Sequence, residues 1–343
     1  MFLYRPGELV WFNKGAAWGL AVIYSRQAQG NVAEYQLQPL SHPLKHPLSV
    51  KKTQELIRPW LAWSVPNVTH TQISGLTYDK VPWDSVVNGS LGKGDAEVDG
   101  SILAAKAIDG SYTFFDSLNI PTAAPGETHY AGMFLGAEKL WVGEPIRMRP
   151  GNDDVAVMVI QQIIERITGT GSTVALVGDM YKWVEMPTPY KNRSEWPTPN
   201  LPPRMVADLR FRNEVADNAR TGRWHEWSLV EPRARKSMSD VKGRWYETKA
   251  LLPILRTPAA FQDDVNKGVT SDIGMYMNAR GDSSSRTGHK KANRLDALGR
   301  AVPSTLRISR GLDESPPTGA APSTSGHHPG SGQLQYYNLN VRH

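Results

Sequence analysis

The sequence predicts a mainly β chain with flanking helices. Three observations carry that expectation. Short runs of aromatic and β-branched residues near the start alternate with tight-turn residues. A Val- and Ile-rich run, Val155 to Glu165, is followed by the turn residues Gly169-Thr170-Gly171-Ser172 and a second apolar run, Thr173 to Tyr181. From Pro303 onward the core formers disappear.

In order along the chain, Glu8-Leu9-Val10-Trp11-Phe12 reads as a strand and Asn13-Lys14-Gly15 as a turn. Gly19 to Tyr24 is a second strand, Gln29-Gly30-Asn31 a second turn, and Glu34 to Leu40 a third strand stopped by Pro39. Three short strands in so few residues predict a small five-stranded-type barrel over 1–125, its second half unassigned. Residues 41–48 repeat His-Pro-Leu and are expected to be extended, because a residue before proline avoids the helix. Lys51 to Trp60 fits a strand or a short helix, Asn88 to Asp95 a loop, and Asp116 to Gly126 a connection. A second, β-rich domain is expected over 126–302. It opens with two strands between Gly132 and Arg149, and continues with Val155 to Glu165 as a long strand partly buried on both faces, whose second half is also compatible with a helix. Met205 to Ala216 has helical spacing, Trp224 to Val230 alternates as a strand, and Glu247 to Leu255 reads as a helix. The Ser, Thr, Pro and Gly of Ser315 to Gly332 predict a disordered tail over 303–343.

At 343 residues, about two domains are expected, and 40% hydrophobic with 21% charged residues is a globular composition. The absence of cysteine excludes disulfide scaffolds, thiolate zinc sites, iron–sulfur clusters and cysteine nucleophiles. No apolar run approaches the ~20 residues that span a bilayer, and Met1 to Gly7 is broken too early by Pro6-Gly7 for a secretory signal. A soluble intracellular protein is expected. The net charge of +6 is unevenly spread: residues 1–150 are neutral, whereas 190–310 carry 23 basic and 13 acidic side chains. Such a segment suits an acidic partner, nucleic acid or protein, although Arg and Lys that merely solvate a helical surface give the same count.

Patterns for catalysis are near misses. Asn88-Gly89-Ser90-Leu91-Gly92 lacks the first glycine of a nucleophile elbow. Gly169 to Val174 lacks the third glycine of a dinucleotide fingerprint and precedes a strand, where no helix N-terminus is free to hold phosphate. Gly281 to Lys290 is misspaced for a P-loop. The acid pairs Asp153-Asp154 and Asp263-Asp264 suit capping better than metal binding. The histidines, His42 and His46 included, lack zinc-type spacing. No metal, cofactor, small-molecule substrate or catalysis is expected. A hydrolase built on Ser90 or Ser283 ranks last, since no base is placed beside either.

Eleven tryptophans are many for this length. Trp11, Trp18 and Tyr35 fall in the first barrel and could wall a cage for a methylated lysine through the ring quadrupole, although small barrels also bury large aromatics simply to fill space. Gly7-Glu8-Leu9-Val10-Trp11 with Trp18-Gly19-Leu20-Ala21-Val22 resembles the opening of a PWWP or Tudor-type barrel, with Ala16-Ala17-Trp18-Gly19 where that family has Pro-Trp-Trp-Pro.

A second likeness covers about 129–300. It runs through Met133 to Glu144, Val155 to Glu165, Leu176 to Tyr181, Gly243-Arg244-Trp245-Tyr246-Glu247 and Leu251 to Leu255. Together these resemble the C-terminal region of the fungal transcription-silencing protein family cryptic loci regulator 2, which is similar to a bromo-adjacent homology (BAH) domain. The resemblance implies a nuclear, non-catalytic subunit of a heterochromatin-silencing complex (SHREC-like) with a histone deacetylase and a chromatin remodeller as partners. Nucleosome contact, with histones or non-specifically with DNA, would then fall to Arg233, Arg235, Lys236, Lys242 and Arg244, in a stretch read as a loop. The alternative from another class is a histone-mark reader using Trp11, Trp18 and Tyr35.

Overall fold

The computed structural model describes residues 2–149, 156–169, 171–282, 284, 289–309 and 311–314. It is mainly β with flanking helices, as the sequence predicts. The first sheet holds β1 (Leu9–Asn13), β2 (Trp18–Gln29), β3 (Val32–Pro39), β4 (Val50–Thr53) and β5 (Ile57–Pro59), in the order β4-β3-β2-β1-β5. The Asn13 side chain accepts the Gly15 N–H at 2.6 Å and closes the first turn, and Gln29 pairs with Val32 across a two-residue turn. Residues 50–59 therefore complete this sheet.

Two helices follow, α1 (Trp83–Val87) and α2 (Ala96–Asp109). Neither was expected, and α2 is the longer of the two. Asp95 caps it by accepting from the N–H groups of Glu97 and Val98. Gly100 lets it lie against the backbone of Ser41 and His42: a Cβ there would meet the His42 nitrogen at 2.3 Å.

The second sheet contains β6 (Ser111–Leu118), β7 (Glu127–Leu135), β8 (Glu138–Trp141), β9 (Pro145–Met148), β10 (Ala156–Thr168) and β11 (Gly171–Pro187). After α3 (Pro203–Asn218) come β12 (Arg223–Ser237), β13 (Val241–Arg244), α4 (Thr248–Leu255), α5 (Pro258–Asn266), β14 (Lys290–Lys291) and α6 (Arg294–Leu298). The main order is β12-β11-β10-β7-β6-β14, with β8 on β7, and β9 between β10 and β13. Gly136, at φ +60°, opens the tight β7–β8 turn beside Asp109, where a Cβ would lie 2.6 Å from the carboxylate. Of the two readings of the Val- and Ile-rich run, the strand is the one formed over its described residues, Ala156 to Glu165. Met158, Ile160 and Ile163 face one core, while Val157 joins Met205, Leu209, Trp227 and Trp245 in another.

The largest hydrophobic cluster crosses the expected 125/126 boundary. It joins Leu9, Val22, Leu37 and Ile57 to Ile108 of α2, and then to Ala137, Tyr246, Leu251, Leu298 and Ile308. Residues 315–343 of the expected disordered tail lie outside the described residues. Its beginning departs from the expectation. Ile308 is buried, Glu314 pairs with Arg26, and the Leu312 N–H donates to Asp116.

Candidate functional site

The three aromatic candidates do not share one site. Trp11 stacks on Trp60 (5.9 Å, 10° between planes) and meets Trp63 edge-on at 5.6 Å. Its indole N–H donates to the Trp60 carbonyl at 3.0 Å. Trp18 also meets Trp63, at 5.0 Å, but the seat over its ring is taken by Arg58, 4.9 Å from the centroid. Tyr35 is fully buried elsewhere, ringed by Phe2 and Tyr4. Its hydroxyl accepts the Leu3 N–H at 2.9 Å and donates to Gln54 at 2.8 Å, tying down the start of the chain. A methyl-lysine cage needs open walls around a vacant cation seat. Here Tyr35 is an anchor, and the protein's own guanidinium fills the seat at Trp18.

The basic candidates lie on strands rather than in a loop. Arg233, Arg235 and Lys236 are on β12, and Lys242 and Arg244 on β13. Arg233 is exposed at a bulge with φ 50°, its N–H held by Asp179 at 2.8 Å. Arg235 is exposed, 3.9 Å from Glu127, and Lys236 pairs with Glu231 at 2.9 Å. Lys242 is half-buried. Arg244 has no exposed surface and cannot meet a nucleosome. It donates to both carboxylate oxygens of Glu8, at 2.8 and 3.0 Å, and to the Leu3 carbonyl.

Arg244 belongs to a buried charge cluster that fastens the two sheets together. Glu8, just before β1, also accepts the N–H groups of Arg5 (2.9 Å) and Lys139 (3.1 Å). Glu138 accepts from the Arg244 N–H at 2.7 Å and the Tyr246 hydroxyl at 3.1 Å. Glu144 takes Arg5 at 2.5 Å and Arg204 at 2.6 Å, and Arg204 clamps Glu247 with a second pair of bonds. Arg5 is also stacked over Trp141, 3.6 Å from the ring centroid. Burial pushes Glu138 up, whereas at Glu247 the paired Arg204 outweighs burial and holds the carboxyl down. Burial lowers Lys139 to about 8 and Arg5 to about 10. Each charge has a partner, which is what a low-dielectric interior requires. The sequence signal for this cluster is a charge inside an otherwise apolar run, as in Gly7-Glu8-Leu9-Val10-Trp11 and Ala137-Glu138-Lys139-Leu140-Trp141.

The remaining polar candidates are engaged structurally. Ser90 donates to Asn88 on an exposed turn, His42 accepts the Leu44 N–H, and His46 bonds the Arg300 carbonyl. His70 is paired with Asp99 at 2.7 Å. Ser283 and Asp153-Asp154 lie outside the described residues. No cluster of metal-ligating side chains occurs among the described residues, and none of their helices is long and apolar enough to cross a membrane.

Alongside β12, the segment 193–199 and α3 enclose a groove of about 170 Å³. Trp196 stands edge-on to Trp224 at 5.4 Å, Pro197 and Pro199 form one bank, and Val206 and Leu209 the other. Asn213 of α3 grips the β12 edge, its side chain bonding both the N–H and the carbonyl of His225 at 2.8 and 3.0 Å.

Comparison with known proteins bears on the second sheet. Residues 129–247 match the family model of the transcription-silencing protein Clr2. That stretch runs from within β7 through β13 and contains Glu138, Glu144, Arg204, Arg244 and Glu247 of the buried cluster. It also bears out the likeness read from the sequence over 129–247. A solved structure described as Clr2 bound to the Clr1 C-terminus is similar at 16% identity with a TM-score of 0.49, over 89% of this chain and 59% of that one. The chain thus spans about three fifths of the length of that structure's Clr2 chain. No curated protein matches it.

Proposed function

We propose that this chain is a nuclear, non-catalytic adaptor subunit of a transcription-silencing assembly that contains a histone deacetylase and a chromatin remodeller. The family match over 129–247 is the observation that carries the proposal. The buried charges are consistent with a scaffold, since Glu8, Glu144 and Glu247 are tied to Arg244, Arg5 and Arg204 as struts between the two sheets. Clr2 is described as bound to the C-terminus of Clr1, and a partner segment of that kind suits an adaptor.

Affinity purification of the tagged protein from its native nuclei, with mass spectrometry and a deacetylase assay on the eluate, tests the reading. Co-purification of a deacetylase and a remodeller is expected. Recovery of the chain alone, or with nucleosomes only, would overturn it. Nucleosome docking belongs to the exposed Arg233 and Arg235 with Lys236. Phosphate contacts of this type weaken steeply between ~50 and 200 mM salt, so affinity that is flat across that range would remove DNA from the proposal.

A further inference from the structure

Beyond the exposed Arg233 and Arg235, β12 ends at Ser237, a residue with no task in the architecture derived above. Ser237 is exposed, and strand alternation puts it on the same face as Arg235. Its hydroxyl donates to Asp240 at 2.8 Å and lies 2.6 Å from that of Ser239, closing a short 3₁₀ turn, Met238–Asp240. β12 is the outermost strand of its sheet, and Ala175–Ser237 is the last pair of its ladder with β11. Asn213 grips the other half of the strand from outside, at His225. At 233–237, by contrast, no strand among the described residues pairs with the outer edge. The end of an unsupported edge strand is where local opening costs least.

The chain before Ser237 is basic: Arg233, Arg235 and Lys236 stand four, two and one positions ahead of it. A serine two positions after an arginine occurs at one other place in the sequence, Ser309 after Arg307. Ser309 is 2% exposed, and its hydroxyl is bonded to the Gly311 and Asp313 carbonyls. Of the two, the fold presents only Ser237.

We propose that Ser237 is a phosphorylation site of an arginine-directed serine kinase, and that the phosphate releases β12 from nucleosomal DNA. A kinase with an acidic substrate groove takes up the arginines ahead of the serine by charge-assisted pairing. In the transfer, Ser237 Oγ bonds to the γ-phosphorus of ATP, the bond from that phosphorus to ADP breaks, and the hydroxyl proton passes to the kinase's base. The phosphate brings a charge of about −1.5 to −2 at pH 7. That offsets most of the three cations beside it, of which Lys236 already shares Glu231. It also sets a like charge against Asp240, where a hydroxyl had donated, so the turn loosens and the phosphate is driven toward Arg235. The inference rests on the nucleosome-docking part of the proposed function and names how that contact is switched off.

The test treats the full chain with an Aurora-type kinase and ATP, maps the phosphate by mass spectrometry, and measures nucleosome binding between ~50 and 200 mM salt. Ser237 should be labelled and Ser309 should not, although a peptide spanning 303–313 should accept phosphate at Ser309. Arg235→Ala should slow labelling of Ser237 at least about tenfold, as loss of a charge-assisted pair does, and Ser239→Ala should leave it unchanged. The phosphorylated chain should bind nucleosomes at least about fivefold more weakly at ~100 mM salt, with a salt dependence shallower by up to about two counterions. Ser237→Ala carried through the same treatment should keep the affinity of the untreated chain. An unlabelled chain, phosphate on Ser239 or Ser309 in place of Ser237, or a phosphorylated chain with unchanged affinity would each overturn the proposal. Site and docking fail separately. An untreated chain that ignores nucleosomes sinks the docking reading, and with it the release, while labelling at Ser237 still decides the site.

Discussion

Arg244 stabilises by pairing, and its removal leaves more than an empty space. Glu8 would remain 2% exposed with its main cationic partner gone. Arg244→Met should therefore cost about 3–5 kcal/mol, read from the urea midpoint, while Glu8→Gln combined with Arg244→Met should recover most of that loss. If the double variant is no better than the single, the pairing account is wrong. His225 gives a pH signature. Burial, opposed by Glu185 and assisted by Arg212 and Arg223, lowers its imidazole from the ordinary 6.5 to about 4. Between those values the unfolded chain takes a proton that the folded one refuses. Stability should thus be full above pH 6.5, fall toward pH 4 and level off below. His289 is lowered to about 4 by burial and by Arg280 and titrates in the same window. His225→Phe, which keeps a ring against Trp183, should then make the slope shallower. An unchanged slope would place the effect elsewhere.

At the scale of elements, α2 adds a close backbone approach at Gly100 to the core contacts of Leu103, Ala104, Ala105 and Ile108. Gly100→Ala would gain ~1 kcal/mol of helix propensity, yet its Cβ would strike the His42 backbone. Net destabilisation is expected, with a lower melting temperature as the measurement. A rise would mean that the helix can slide. The same packing explains why the sequence hid this helix. Its buried face includes Gly100, Ala104 and Ala105, so the apolar rhythm is faint, and the Gly-rich stretch before it reads as loop. The strands were legible where β-branched or aromatic residues ran between turn signals, as in β1 to β3, β10 and β11. Their lengths were not, because β11 and β12 extend through Trp-, Glu- and Arg-bearing stretches whose pairing is set by the neighbouring strand. The three aromatic candidates failed as a group for a related reason. Composition placed Trp11, Trp18 and Tyr35 in one small sheet, but only packing could show that Tyr35 belongs to the ring set of Phe2 and Tyr4.

Across the whole molecule, the basic excess of 190–310 is partly interior. Arg212, Arg244, Arg280 and Arg294 are buried, and Arg204 is spent on Glu144 and Glu247. Sequence gives the count but not which side of the surface each charge occupies. Reversing Arg233, Arg235 and Lys236 together should weaken nucleosome binding and flatten its salt dependence by up to about three counterions; an unchanged slope would clear β12 of DNA contact. The shared hydrophobic cluster predicts one cooperative unit where the sequence suggested separable domains. Tryptophan fluorescence and far-ultraviolet circular dichroism should follow a single coincident denaturation curve, and residues 1–125 expressed alone should lack dispersed amide resonances. Two separated transitions would contradict the shared core.

Arg294 donates to the Gly7 carbonyl at a sequence separation of 287, and Arg244 to that of Leu3 at a separation of 241. On a ribosome these contacts are separated in time as well as in sequence. At ~5–20 residues per second, the first sheet, complete at Pro59, emerges roughly ten to forty-five seconds before the guanidinium groups that neutralise Glu8 and cap its backbone. During that interval the nascent chain presents an incomplete core with a charge at its centre, which is the state that chaperones recognise and that high-contact-order topologies prolong.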